Sequence, residues 1–146
     1  MKPILLSLLI LTACTAPSKP ARKSFDRHVG TWSFEKDGRK GKLILKENKE
    51  FALEVDGKKY DTKNFKNSQG KEMEFHYVLN PNKNPVPIYL YTFEKADPEH
   101  TKKGVRGILR FLSDNKMEAR LSLDPNKPRY NSFDAKDTTN TVVLVR

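Results

Sequence analysis

From residue 30 onward the chain is cut into short apolar runs, each followed by turn-forming residues, at a spacing of roughly ten residues. Runs that short are not amphipathic helices, and the intervals are too brief for the crossovers that parallel strands require. The cadence dictates antiparallel strands joined by tight turns, in a barrel or a sandwich. Asp37-Gly38 and Asp56-Gly57 are the sharpest turn signals, because a type I′ hairpin needs positive φ at both central residues. Between them Phe51, Leu53 and Val55 alternate with Ala52 and Glu54, a period of two that lays one face on a core.

The same reading places extended segments at 32–36, 42–46, 60–65, 73–79, 88–93, 105–112, 117–123, 130–133 and 139–146. Residues 80–87 contain Pro81, Pro85 and Pro87 and read as a rigid loop, since proline cannot donate to a ladder. Residues 88–93 are apolar on both faces, which predicts cover on both sides or aromatics turned inward. Residues 96–103 and 124–128 are polar loops. Hairpin-linked neighbours favour an all-β, antiparallel up-and-down barrel that closes to hide its edges. A β-sandwich is the alternative.

Trp32 is the only tryptophan and opens the first strand. A ring there plugs one end of a closed sheet, and Gly30 lets the backbone bend into the strand without a Cβ clash. First and last strands are neighbours in a closed meander. Arg146 can then lie across the indole, a contact of about 0.5–2 kcal/mol.

The N-terminus has a different character. Lys2 precedes an apolar run at 4–11 and the small residues before Cys14, the order of a secretory signal. The run falls short of the ~20 residues that span a bilayer. Leu11-Thr12-Ala13-Cys14 resembles a bacterial lipobox. That resemblance implies cleavage before Cys14, a diacylglycerol thioether on its sulfur and an anchor of two or more acyl chains, which holds a protein stably. Cys14 is the sole cysteine, so no disulfide is available. The expected organisation is a signal peptide at 1–13, a lipidated flexible tether at 14–23, and one β domain at 24–146. Thr15 stands where an Asp would retain an enteric-type lipoprotein at the inner membrane, which favours the outer membrane of a cell envelope.

Gly30, Trp32 and Arg146, with Phe25-Asp26 upstream, resemble the lipocalin pattern, in which a Gly-x-Trp of the first strand stacks on an arginine of the last. The resemblance implies a lipocalin-like barrel that binds a small hydrophobic or amphipathic molecule without chemistry. The chain departs from the pattern in lacking a cysteine pair and a long lid helix.

The formal net charge is +10, a surface drawn to anionic neighbours. Export argues against nucleic acid and leaves acidic envelope partners: lipid head groups, glycans or proteins. The doublets Arg39-Lys40, Lys58-Lys59 and Lys102-Lys103 fall at turns, and solvated lysines that protect sheet edges explain them equally. The three histidines, His28, His76 and His100, have no metal-ligand spacing. No phosphate loop or nucleophile motif is present. Glu72 and Glu74 share a strand face and read as a solvated exterior. No enzyme activity, metal or cofactor is expected. Phe75, Tyr77, Tyr89 and Tyr91 are the candidate ligand-binding residues, lining a cavity; a side-chain-filled barrel is the competing possibility. Arg106 and Arg110 point to solvent if Val105, Gly107, Leu109 and Phe111 face inward.

Overall fold

The structure is a computed structural model that describes residues 26–122, 124 and 129–146. Cys14, the apolar leader, the tether and Leu123 lie outside these residues. Nine antiparallel strands follow in order: β1 (Gly30–Lys36), β2 (Arg39–Leu45), β3 (Phe51–Val55), β4 (Lys58–Tyr60), β5 (Met73–Leu79), β6 (Val86–Glu94), β7 (Lys103–Ser113), β8 (Lys116–Ser122) and β9 (Thr141–Val145). They form one sheet in the order β4-β3-β2-β1-β9-β8-β7-β6-β5, curled into a half-barrel. Among the described residues there is no α-helix.

The hairpins follow from local chemistry. Asp37 and Gly38 take φ of 53° and 76°, and Asp56 and Gly57 take 50° and 81°, the double left-handed conformation that the Asp-Gly pairs demand. In the β1–β2 hairpin Phe34 faces Gly41. A Cβ at Gly41 would lie 2.4 Å from the Phe34 ring and 2.5 Å from the Glu54 carbonyl. Only glycine lets the aromatic ring cover the strand there.

Closure is where the structure departs from the meander expected above. β1 and β9 are neighbours, with Ser33 opposite Val145, but β4 and β5 are the sheet's two edges and no ladder joins them. The reason lies in residues 61–72, whose first part reads as a strand and instead folds as turns. The Asp61 carboxylate accepts the backbone N–H of Lys63 (3.1 Å) and Asn64 (2.9 Å) and pairs with the Lys59 ammonium at 3.2 Å. Burial pushes the Asp61 carboxyl up, but Lys59 and those N–H donors outweigh it and hold the group below its ordinary range.

The turn puts Phe65 into the gap, edge-on to Phe75 at 5.5 Å and beside Tyr60 at 5.6 Å. It also satisfies the open edge of β5. Met73 N–H donates to the Phe65 carbonyl (3.3 Å) and Phe75 N–H to the Thr62 hydroxyl (3.1 Å), while the β2–β3 connection supplies the Lys49 carbonyl to Tyr77 N–H (2.8 Å) and an isolated bridge between Glu50 and His76. The edge is thus protected by a plugged gap rather than by a ladder.

Two further segments differ from expectation. Val86 and Pro87, read as loop, begin β6, with Pro87 opposite Ile108; a proline is tolerated at the start of a strand. Residues 130–133, read as a strand, are irregular. They are held against the outer face of β7 and β8 by Arg120. This arginine is 4% exposed: it donates to the Ser132 carbonyl (3.1 Å), pairs with Asp137, and lies 4.1 Å from the Tyr130 ring.

Candidate functional site

The concave face of the half-barrel encloses a hollow of ≈ 960 Å³. Alternation along each strand aims apolar side chains into it. β1 and β2 contribute Phe34 and Leu43, β3 contributes Phe51, Leu53 and Val55, and β6 contributes Ile88 and Leu90. Val105, Leu109, Leu121 and Val142 complete the far wall. β4 adds Tyr60, the gap-filling turn Phe65 and β5 Phe75, with Phe51 edge-on to Phe75 at 5.4 Å. The lining is overwhelmingly apolar, and the volume falls in the range of about 300–1,000 Å³ that takes a drug-sized ligand.

One end of the hollow is sealed. Trp32 and Tyr77 are fully buried there with Met117. The Trp32 indole N–H donates to the His28 carbonyl at 2.7 Å, which binds the chain's approach to the base of the barrel. The Arg146 guanidinium lies 4.2 Å from the Trp32 ring and donates to the Asp114 and Val29 carbonyls at 3.0 and 3.3 Å. Gly30 has φ of 140° and sits beneath Arg146, whose Nη1 would be 3.4 Å from any Cβ there. Gly30, Trp32 and Arg146 therefore meet in one unit at the sealed end.

The other end opens among polar residues: Lys36, Asp37, Arg39 and Lys103. Lys36 is held in place there, its ammonium donating to the Thr141 carbonyl at 2.8 Å and to the Thr139 carbonyl. Arg39 pairs with Asp56 at 3.2 Å. Three cations against one lining carboxylate give the mouth a positive character.

The four aromatics that the sequence nominates for a ligand are divided by the fold. Phe75 lines the hollow. Tyr77 lies in its sealed base, where its hydroxyl donates to the Lys46 carbonyl (2.6 Å) and lies 3.2 Å from His28 Nε2. That hydroxyl is taken up by these two internal partners. Tyr89 and Tyr91 stand on the convex face of β6, stacked at 5.2 Å, while their neighbours Ile88 and Leu90 turn inward. The row continues through Phe93 and His76, and Lys102 lies 4.0 Å from the Tyr91 ring. This explains why residues 88–93 are apolar on both faces: one face lines the hollow and the other is an external aromatic ladder. Tyr91 also borders the hollow at its open end, beside Thr92 and Lys103, and Phe51, Phe65 and Tyr60 join Phe75 as cavity aromatics. Phe51 is legible from the alternation of β3, whereas Phe65 acts through a turn that has no apolar period.

Burial pushes the Tyr77 hydroxyl up to about 12, helped by the negative charges of Asp26 and Glu47. The fold favours the protonated phenol, so its contribution is complete below the ordinary value of 10.0 and is lost as pH rises towards about 12. Tyr77→Phe is expected to cost about 1–3 kcal/mol at neutral pH through the lost hydrogen bonds. It should also flatten the alkaline decline in stability across that window, measured by denaturant unfolding. Parallel pH profiles for the two proteins would refute the assignment.

The remaining candidates have local partners. His76 pairs with Glu74 at 2.8 Å, His100 with Asp97 at 2.8 Å, and Glu72 with Lys95 at 3.7 Å. Among the described residues no group of three His, Cys, Asp or Glu side chains is placed to hold a metal ion. Arg110 pairs with Glu118 and is exposed, as is Arg106. No known protein family, curated protein or solved structure matches the chain.

Proposed function

We propose that this protein is a lipid-anchored binding protein of a bacterial cell envelope that holds a small hydrophobic or amphipathic molecule without transforming it. The observation that carries this reading is the ≈ 960 Å³ apolar hollow. A barrel of about eight strands is narrow enough to fill with its own side chains, and a filled core is the more stable arrangement because voids forfeit dispersion contacts. A chain that keeps its apolar interior open has a use for the space. The positive mouth suits an acyl chain with an acidic head group, the tail in the hollow and the head beside Lys36, Arg39 and Lys103. In this reading the lipobox-like Cys14 supplies the anchor, and Thr15 after it favours the outer membrane. The lipocalin resemblance of Gly30, Trp32 and Arg146 is consistent with such a role, as an analogy of fold rather than of site.

Native mass spectrometry of the full chain, purified in detergent and exposed to an envelope lipid extract, tests the proposal. A discrete added mass that disappears on unfolding is the expected result. A spectrum at the bare protein mass, with the fold intact, would overturn it.

A further inference from the structure

On the convex surface, away from the hollow, a second recess of ≈ 660 Å³ runs between the 80–85 loop and residues 129–131. Its floor is the outer side of β6 and β7, including Ile108 and Pro87. Lys83, Arg106 and Arg129 line it, and among the described residues no aspartate or glutamate does. None of the three cations is in an ion pair among the described residues, whereas Arg39, Lys42, Lys46, Lys71 and Arg110 on other surfaces each face a carboxylate. Positive charge is thus concentrated in a concave site with no carboxylate paired to it among the described residues, which focuses the potential on an incoming anion.

Neutral groups in the recess narrow the ligand class. Asn84, Asn131 and the phenol of Tyr130 supply both donors and acceptors, the complement of a polyhydroxylated molecule. The aromatic faces are already used. Tyr89 is stacked on Tyr91 on one side and lies 5.3 Å from Arg106, and Tyr130 lies over Arg120. A nucleic-acid site instead needs open ring faces on which bases stack. A bilayer surface is too broad to enter a recess between two walls.

The walls are built before any ligand arrives. In the loop, Asn80 N–H donates to the Pro87 carbonyl (3.1 Å) and Asn82 N–H to the Asn80 side chain (3.1 Å). Across the recess, Asn140 donates to the Tyr130 hydroxyl at 2.7 Å, and Arg120 fixes Ser132 from below. Walls ordered in advance lower the entropic cost of binding.

We infer that this recess is a binding site for an acidic saccharide, a sugar bearing a carboxylate or phosphate. The forked guanidinium groups of Arg106 and Arg129 take the anion in paired hydrogen bonds, and the asparagines and Tyr130 take the hydroxyls. The site is independent of the hollow and of whatever ligand the hollow holds.

The test is calorimetric titration of the full chain in detergent with trigalacturonate, glucose 6-phosphate, neutral cellotriose, glycerol 1-phosphate and oligothymidylate. One of the two acidic sugars is expected to bind at one site per chain, and cellotriose is not. The double variant Arg106→Ala/Arg129→Ala should weaken that binding at least about tenfold, since each lost charge-assisted contact is worth a large part of that factor. Both arginines are exposed, so the thermal midpoint should not move. Lys63→Ala/Lys66→Ala removes equal charge from another exposed face and should leave affinity unchanged. Failure of both acidic sugars to bind overturns the site. An equal loss in the lysine variant makes it diffuse charge only. Glycerol 1-phosphate binding as tightly makes it a general phosphate site, and tighter oligothymidylate makes it a nucleic-acid site. Each of those results also overturns the inference, and none bears on uptake of lipid by the hollow.

Discussion

Trp32→Ala is expected to destabilise the protein by about 3–5 kcal/mol, the range for removing a large buried aromatic side chain. The indole is fully buried and contacts elements from both ends of the chain. Phe111 of β7 lies 6.3 Å from it, Arg146 lies 4.2 Å away on its face, and its N–H satisfies the His28 carbonyl. Truncation removes the largest apolar surface at the sealed end, leaves that carbonyl without its donor, and takes the ring from beneath a guanidinium. Trp32→Phe separates these effects. It keeps most of the buried area and loses mainly the hydrogen bond, so it should cost about 0.5–1.5 kcal/mol. Equilibrium denaturation reads both values. A loss below about 1 kcal/mol for alanine would mean that the base of the barrel is held by other contacts.

The sealed end is also the part of the molecule most legible in the sequence, because each of its signals is local or terminal. A lone tryptophan after a glycine marks a strand that opens against the core, and Arg146 sits at the other end of the chain. The Asp-Gly turns are legible for the same reason: the φ values they need are properties of the dipeptide. The gap between β4 and β5 is not legible. Residues 60–65 pass for a weak strand on two aromatic residues, Tyr60 and Phe65. What decides their fold is the Asp61 carboxylate capping its own turn while Phe65 finds Phe75 on a strand that comes later in the chain. Arg120 presents the same difficulty. The inward set Met117, Ala119 and Leu121 predicts that Arg120 faces out, but the cover over it comes from residues 130–137, which show no apolar periodicity.

The division of the aromatics has a further physical cause. In a strand buried on both sides, alternation cannot say which face is the concave one. Ile88 and Leu90 have the branched shapes that pack an interior. Tyr89 and Tyr91 have hydroxyl groups that are content at a surface, and their rings shelter Gly104, where a Cβ would come within 2.5 Å of Tyr89. The hydroxyl is a signal available in the sequence, and it favours the exterior for both tyrosines. Tyr77 is the exception because the Lys46 carbonyl accepts its hydrogen bond inside the fold.

The triple variant Val55→Phe/Val105→Phe/Val142→Phe is expected to abolish uptake of a hydrophobic ligand while leaving the fold intact. The three valines belong to β3, β7 and β9 and line the hollow from separate walls. All are partly rather than fully buried, so each has free space ahead of its methyl groups. Phenylalanine keeps the strand preference of valine and introduces no polar atom. If the interior were solid, each new ring would be overpacked and cost about 1–3 kcal/mol, and the sum would unfold a protein of ordinary stability. In an open hollow the rings occupy empty apolar space, and the area they remove from water, worth about 25 cal/mol per Å², offsets their lost rotamer freedom. Stability should then stay within about 1 kcal/mol of the parent, and the ligand mass should vanish from the native spectrum. Unfolding of the variant would show that the interior has no room for a guest. A folded variant that still carries the ligand would place the guest elsewhere on the protein, and the apolar hollow would need a different explanation.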